Sequence, residues 1–140
     1  MLLYLIKQVE LAARSRLDDI VRPGGMTSLQ YTALTVLERQ ADMSSAQLAR
    51  HSFVTAQSMA DLVGTLQARG LIERHRDRTD RRRLVVALTA EGHALLDRYR
   101  EEVAALEASM VAGLSPDEVA MLRGALNACR ANLARKAPVP

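Results

Sequence analysis

Arginine is concentrated in one short stretch of the chain, residues 69–83. Seven arginines lie there beside three acidic residues, and the rest of the chain carries 12 basic and 13 acidic residues. The seven are Arg69, Arg74, Arg76, Arg78, Arg81, Arg82 and Arg83. A guanidinium group is a planar, permanently charged fork that matches phosphate oxygens and the O6 and N7 atoms of guanine. This local positive charge predicts contact with a nucleic acid through phosphate neutralisation and counterion release.

A charge run can instead be an ordinary solvated surface, and composition does not decide between these interpretations. Lys7 and Lys136 are the only lysines among 19 basic residues, and a GC-rich genome would also produce such a bias toward arginine. The formal net charge is only +3. The neighbouring sequence favours DNA, because it predicts a helix-turn-helix and a β-hairpin.

Two short helices are predicted immediately before the arginine-rich stretch. The first begins at the capping-box pattern Ser44-Ser45-Ala46-Gln47 and the second at Thr55, with a tight turn at residues 51–54 between them. Such a pair is typical of a helix-turn-helix, whose second helix enters the major groove of DNA. We expect Ser44 and Ser45 to lie near phosphates.

Polar side chains at the start of the second helix are candidates for reading base edges. Gln57 can bond to adenine, and Asp61 can accept a hydrogen bond from cytosine. Thr55 and Ser58 can contact phosphate or base. Two simpler interpretations stay open, in which Thr55 only caps the helix and Asp61 only pairs with a neighbouring side chain.

A β-hairpin is predicted at residues 71–76 and 82–88, because Leu84, Val86 and Leu88 alternate along its second strand. Residues 77–81 form its polar tip. Arginine at a hairpin tip suits the narrow, electronegative minor groove. The residues expected to contact DNA from this hairpin are Arg76, Arg78, Arg81, Arg82 and Arg83.

The remaining segments are predicted to be helical, so the fold class is mainly α with a small β-hairpin wing. Apolar residues recur at steps of three or four in residues 1–22, 90–112 and 115–136. Residues 27–89 are interpreted as a winged helix-turn-helix lobe and residues 90–112 as a long connecting helix. The stripes of the first and last helices exceed what so small a lobe needs, which predicts a single domain that dimerises through residues 1–22 and 115–136.

Three segments resemble the MarR family of transcriptional regulators: Gln47-Leu48-Ala49, residues 66–72 (LQARGLI) and residues 80–92 (DRRRLVVALTAEG). The resemblance implies a triangular homodimer with interlocked terminal helices, recognition helices in successive major grooves and wings in the flanking minor grooves. It also implies that Asp80 and Arg82 shape the wing and that Arg81 is its tip. We therefore expect a ligand-responsive repressor on a pseudo-palindromic operator with half-sites about 10 base pairs apart.

Members of this family respond to a ligand or an oxidant, and a phenolic or lipophilic effector is expected here between the first, second and fifth helices. Its candidate partners are Tyr4, Arg14, Arg16 and Tyr31, although tyrosines at such positions more often belong to the core or an interface. Cys129 lies on the apolar stripe of the last helix, which favours packing over redox sensing. His51, His75 and His93 are scattered without paired spacing, so no metal or cofactor is expected.

Other function classes find less support in the sequence. An enzyme could use Ser44, Ser45, His51 or His93, but no nucleophile elbow, phosphate loop or metal motif accompanies them. A winged helix that has lost DNA binding and serves as a protein-interaction module stays open, although the arginine-rich wing argues against it. The single cysteine and the lack of a long apolar segment predict a cytoplasmic protein without a membrane span.

Overall fold

The structure of the protein is a computed structural model, in which residues 1–52 and 54–134 are described. The helices and strands are α1 (Leu2–Val21), α2 (Ser28–Arg39), α3 (Ser45–Ser52), α4 (Ala56–Ala68), β1 (Ile72–Arg76), β2 (Leu84–Leu88), α5 (Ala90–Met110) and α6 (Pro116–Ala134). This helical architecture with one two-stranded hairpin confirms the predicted fold class. Position 53 of the predicted turn and residues 135 and 136 of the last predicted helix lie outside the described residues.

Three helices begin at capping boxes, among them the one predicted at Ser44. At the start of α2, the Thr27 hydroxyl accepts the Gln30 N–H at 3.2 Å and the Gln30 amide oxygen accepts the Thr27 N–H at 2.9 Å. The same reciprocal bonds open α3 at Ser44 and α6 at Ser115. These bonds satisfy N–H groups that have no partner inside the helix, so each helix start is fixed by residues three apart in the sequence.

The core lies beneath the helix-turn-helix, where α2, α3, α4, the hairpin and α5 meet. Its fully buried side chains include Leu34, Leu48, Met59, Leu66 and Leu96. Burial of such side chains is the main favourable contribution to folding, at about 25 cal/mol per Å² of apolar surface. Because α4 turns Met59 and Leu66 toward this core, its opposite face is left at the surface.

The hairpin pairs β1 and β2 antiparallel, with Arg76 opposite Leu84 at the end nearest the tip. The second strand begins at Leu84 rather than at residue 82 as predicted. The reason is that the Arg83 N–H donates to the Asp80 carbonyl at 3.0 Å, which places residues 80–83 in the turn. The exposed tip is therefore longer than the sequence alone suggested.

A second, shorter pairing, which was not predicted from the sequence, attaches the hairpin to the segment before α3. The Val86 N–H donates to the Met43 carbonyl at 2.7 Å. Beside it, His75 lies 3.2 Å from a carboxylate oxygen of Asp42, whose φ of 61° is left-handed. The middle of the hairpin is thereby held against the segment that leads into α3.

The junction between the hairpin and α5 explains why the chain carries threonine and glycine there. The Thr89 hydroxyl donates to the Gly70 carbonyl at 2.6 Å and accepts the Gly92 N–H at 3.1 Å. A Cβ atom on residue 92 would lie 2.2 Å from the Leu71 carbonyl oxygen. Glycine is required at this position because the backbones of α5 and of the segment entering β1 approach so closely.

The chain divides into two compact units, residues 1–106 and the residues from 107 onward. In the second unit, none of the residues of α6 is buried, and Met121 and Leu133 are 73% and 77% exposed. Cys129 is exposed too, so the packing expected for this thiol does not occur within one chain. In the first unit, Val21 is the one buried residue of α1. None of the described helices is long and apolar enough to cross a membrane.

Candidate nucleic-acid interface

The start of α4 is built around Thr55, which lies just before the helix. Its hydroxyl oxygen accepts the Ser58 N–H at 3.1 Å and its hydroxyl hydrogen can be donated to Ser58 Oγ, 3.0 Å away. Thr55 therefore caps the helix, as the simpler interpretation of the sequence holds. Both side chains are exposed, so a ligand can still approach this helix end.

Gln57 and Asp61 lie one turn apart on the exposed face of α4. The Gln57 amide donates to a carboxylate oxygen of Asp61 at 3.2 Å. This bond is the pairing with a neighbouring side chain that the sequence left open as the alternative to base contact for Asp61. The bond orients both side chains, since each restricts the rotamers of the other.

The start of α3 is less accessible than that of α4. Ser44 and Ser45 are half-buried, and Ser44 Oγ accepts the Gln47 N–H at 3.2 Å. In return, Gln47 Oε1 accepts the Ser44 N–H at 2.9 Å. The hydroxyl hydrogen of Ser44 stays available, because this capping bond uses only its oxygen as acceptor.

Arg69 belongs to the arginine-rich stretch in sequence but not in space. It ends α4, and its guanidinium donates to the carbonyls of Gly24 and Gly25 at 2.7 and 2.9 Å. The side chain thus ties the end of α4 to the turn between α1 and α2. Its guanidinium group therefore binds backbone carbonyls outside the hairpin.

Two further arginines are engaged within the hairpin or beside it. Arg76 donates to the Arg81 carbonyl at 3.2 Å, which braces the tip. Arg83 donates to Asp77 Oδ2 at 2.9 Å and, through its other terminal nitrogen, to the amide oxygen of Gln47 in α3. Arg83 is only 34% exposed, whereas Arg76 lies at the surface.

Asp77 organises the hairpin tip, a role that the sequence analysis missed. Its Oδ1 accepts both the Thr79 N–H and the Thr79 hydroxyl at 3.1 Å. The Thr79 N–H, together with the Thr79 hydroxyl and the Arg83 guanidinium, holds the pKa of the Asp77 carboxyl below its usual value. The spacing of aspartate two residues before threonine is a turn signal that could have identified Asp77. No such local signal exists for Gln47, because it lies 36 residues from Arg83.

The remaining tip residues are directed to solvent. Asp80 Oδ1 accepts the Arg82 N–H at 3.1 Å, while the Arg82 side chain is 96% exposed and 3.7 Å from the same carboxylate. Arg78 and Arg81 are exposed as well. Within the part of the chain that the structure describes, Arg78 and Arg81 form no ion pair. Arg78, Arg81 and Arg82 are hereafter called the tip arginines.

The four candidate effector partners occupy different surroundings. Tyr31 lies in the core, whereas Tyr4 is 59% exposed and Arg14 pairs with Glu10 on the surface of α1. Arg16 lines an open groove of about 250 Å³. The other lining residues of the groove are Ile20, Glu102, Ala105 and Leu106. Tyr4 and Arg16 are separated by roughly 18 Å along the helix, since each residue adds 1.5 Å.

Comparison with known proteins links this arrangement to one family of regulators. A sequence model of the MarR family matches residues 24–83, which contain the helix-turn-helix and the hairpin tip. An HTH-type transcriptional repressor of Mycobacterium tuberculosis is 33% identical over 112 residues, which span 80% of this chain and 81% of the relative.

Solved structures share the fold over almost the whole chain. CouR from Rhodococcus jostii, solved with p-coumaroyl-CoA, is 25% identical with a TM-score of 0.83 and covers 98% of this chain and 94% of its own. A mutant MarR from Escherichia coli, solved with operator DNA, is 24% identical with a TM-score of 0.77, covering 90% of this chain and 91% of its own. The second likeness shows the fold alone.

Proposed function

Because this chain belongs to the MarR family, we propose that it is a homodimeric, ligand-responsive repressor that binds a pseudo-palindromic operator. In this proposal α4 enters the major groove and the wing enters the adjacent minor groove. The observation that carries the proposal is that the polar start of α4 and the tip arginines are exposed on one winged helix-turn-helix lobe.

The two parts of the interface would divide the work of recognition. Gln57, Ser58 and Asp61 are the side chains of α4 that can hydrogen bond to base edges. The tip arginines would supply sequence-independent affinity and sense the width of the minor groove. Ser44, Ser45 and Thr55 would lie near phosphates, since they surround the two helix starts. Asp80 and Arg82 would shape the tip.

A second copy of the chain would cover the exposed apolar side chains of α1 and α6. Leu3, Ile6, Met121 and Leu126 are 67%, 40%, 73% and 47% exposed in the single chain. Exposed apolar surface on this scale is typical of an interface, because monomeric proteins rarely leave such residues in water. A two-fold dimer would place the half-sites about 10 base pairs apart.

A phenolic or lipophilic anion would act as the effector of this repressor. The groove beside Arg16 combines this cationic side chain with the apolar surfaces of Ile20 and Leu106, and the carboxylate of Glu102 also lines it. In this proposal Arg16 pairs with the negative charge of the effector, while the apolar surfaces contact its aromatic or acyl group. The p-coumaroyl-CoA in the structure of CouR is a ligand of this type, which supports the proposal.

Titration of the DNA upstream of the protein's own gene tests the proposal. We expect the dimer to prefer this DNA to a random duplex, and its affinity to fall steeply with salt. Arg81→Ala should lower the slope of log affinity against log salt by about 2 per dimer, one contact being lost from each wing. Arg98→Ala is the matched control, because it removes an exposed charge from α5. Equal affinity for the random duplex would contradict the proposed function.

A further inference from the structure

The distal part of the wing is organised almost entirely by its own residues. Asp77 binds Thr79, Asp80 binds the Arg82 N–H, and Arg83 binds Asp77. A two-stranded hairpin of this size is only marginally stable in isolation. Its strands are attached to the segment before α3 through Val86 and His75, so the direction of the tip beyond them depends on a further contact with another element.

One side-chain bond provides such a contact. Among residues 77–83, and counting partners within the described chain, the bond from Arg83 to Gln47 is the side-chain hydrogen bond that reaches another element. Gln47 Oε1 also accepts the Ser44 N–H at 2.9 Å, so the same oxygen serves the start of α3 and the wing. The Arg83 guanidinium thus bridges the first turn of α3 and the carboxylate that organises the tip.

We propose that Gln47, Arg83 and Asp77 form a positioning network that fixes the direction of the wing relative to the helix-turn-helix. This inference rests on the proposed DNA-binding function. Its consequence is a division among the arginines, in which Arg83 acts through the network while the tip arginines contact DNA. The network determines how far the wing contacts lie from the bases read by α4, because a hairpin pivoting at its base displaces its tip most.

The geometry separates this role from simple stabilisation. The charge of Arg83 is balanced by Asp77, which is 8% exposed, and its side chain is two-thirds covered. Partly buried charge-assisted hydrogen bonds of this kind restrict orientation, since alternative geometries leave a charged group unpaired. The bonds between Gln47 and Ser44 close the capping box of α3, whereas the bond to Arg83 joins that helix to the wing.

The chain offers a matched pair of variants to test the network. Gln47→Leu removes both the capping bond of α3 and the acceptor for Arg83. Gln30→Leu removes the equivalent capping bond of α2, where the amide oxygen accepts the Thr27 N–H and no wing residue. Gln47→Glu keeps an acceptor for both partners and serves as the conservative rescue.

The measurement is hydroxyl-radical footprinting and salt-dependent titration on an operator selected by the wild-type dimer from random duplexes. Gln47→Leu should lose the protection of the flanking minor grooves, keep that of the major-groove half-sites, and bind on the order of tenfold more weakly. Gln30→Leu should keep the complete footprint with a similar fall in melting temperature. Gln47→Glu should restore the flanking protection.

A second variant covers the case in which Gln47→Leu does not fold. Asp77→Asn retains an oxygen for Thr79 but places an amide nitrogen toward Arg83, so it should lose the same flanking protection. If the wild type selects no operator, the proposed function fails. If the wild type selects one but neither Gln47→Leu nor Asp77→Asn loses flanking protection, the positioning network is refuted while the DNA-binding function stands.

Discussion

Helices α4 and α6 carry comparable apolar stripes, but only α4 buries its stripe within one chain. The buried side chains of α4 are Met59, Leu62, Val63 and Leu66. The corresponding side chains of α6, exposed to between 38% and 77%, are Met121, Leu122, Leu126 and Leu133. Periodicity therefore identifies the apolar face of a helix but does not identify the surface that covers it. For α4 that surface belongs to the same chain, and for α6 we propose that it belongs to a second copy.

The same contrast appears in the polar groups of the two helices. The outward face of α4 presents Gln57 and Asp61, which bond to each other and can turn to a base edge. No residue of α6 is buried in the single chain, so its apolar stripe is left bare beside its polar residues. A helix whose apolar face is covered is free to use its polar face for recognition, whereas one whose apolar face is bare is suited to association.

The largest effect is expected from charges placed on the bare stripe of α6. Leu122→Glu combined with Leu126→Glu should abolish the dimer and weaken operator binding at least about 100-fold, because two linked half-sites become independent. Sedimentation and operator titration would measure the two effects. Ala131→Glu is the control, since helical periodicity places this exposed residue opposite the stripe. A double variant that remains dimeric would contradict the assignment of α6 to the interface.

A smaller effect is expected from filling the tight junction between the start of α5 and the segment that enters β1. Gly92→Ala places a methyl group on the Leu71 carbonyl oxygen and should lower the free energy of unfolding by about 2 kcal/mol. Gly64→Ala in the middle of α4 meets open space and should instead raise it by about 0.5 kcal/mol or more. Urea unfolding of the two variants measures both changes. Equal stabilities would show that the close approach at residue 92 can relax.

The smallest effect concerns the hydrogen bond that attaches α1 to the start of α2. Asp18 accepts the Ser28 N–H at 2.6 Å, and this backbone bond holds the pKa of its carboxyl below 3.8. Asp18 therefore stabilises the fold above that pH, and the contribution is lost as the pH falls through its folded pKa. Asp18→Asn should reduce stability by roughly 0.5 kcal/mol at neutral pH, less at pH 2. Thermal unfolding at both pH values checks this, and a gap that widens in acid would contradict it.

Local sequence determined much of the fold because its signals act over three or four residues. The boxes at Thr27, Ser44 and Ser115 close hydrogen bonds between residues three apart, so the sequence identifies those helix starts. The hairpin was predicted because apolar residues alternate along its second strand, although that strand begins two residues later than expected. The pairing of Met43 with Val86 was not predicted, because one bridge in an extended segment leaves no periodic pattern.

The winged helix-turn-helix and its arginine-rich hairpin can be identified from the order of residues alone, since periodicity, capping and local charge are properties of neighbouring residues. The folded structure decided which arginines bond within the chain and which are directed to solvent. Arg69 binds carbonyls 44 and 45 residues away, and Arg83 binds an amide 36 residues away. Such distant partners become neighbours only when the core closes, so a cluster of seven like charges divides into structural and exposed groups only in the folded chain.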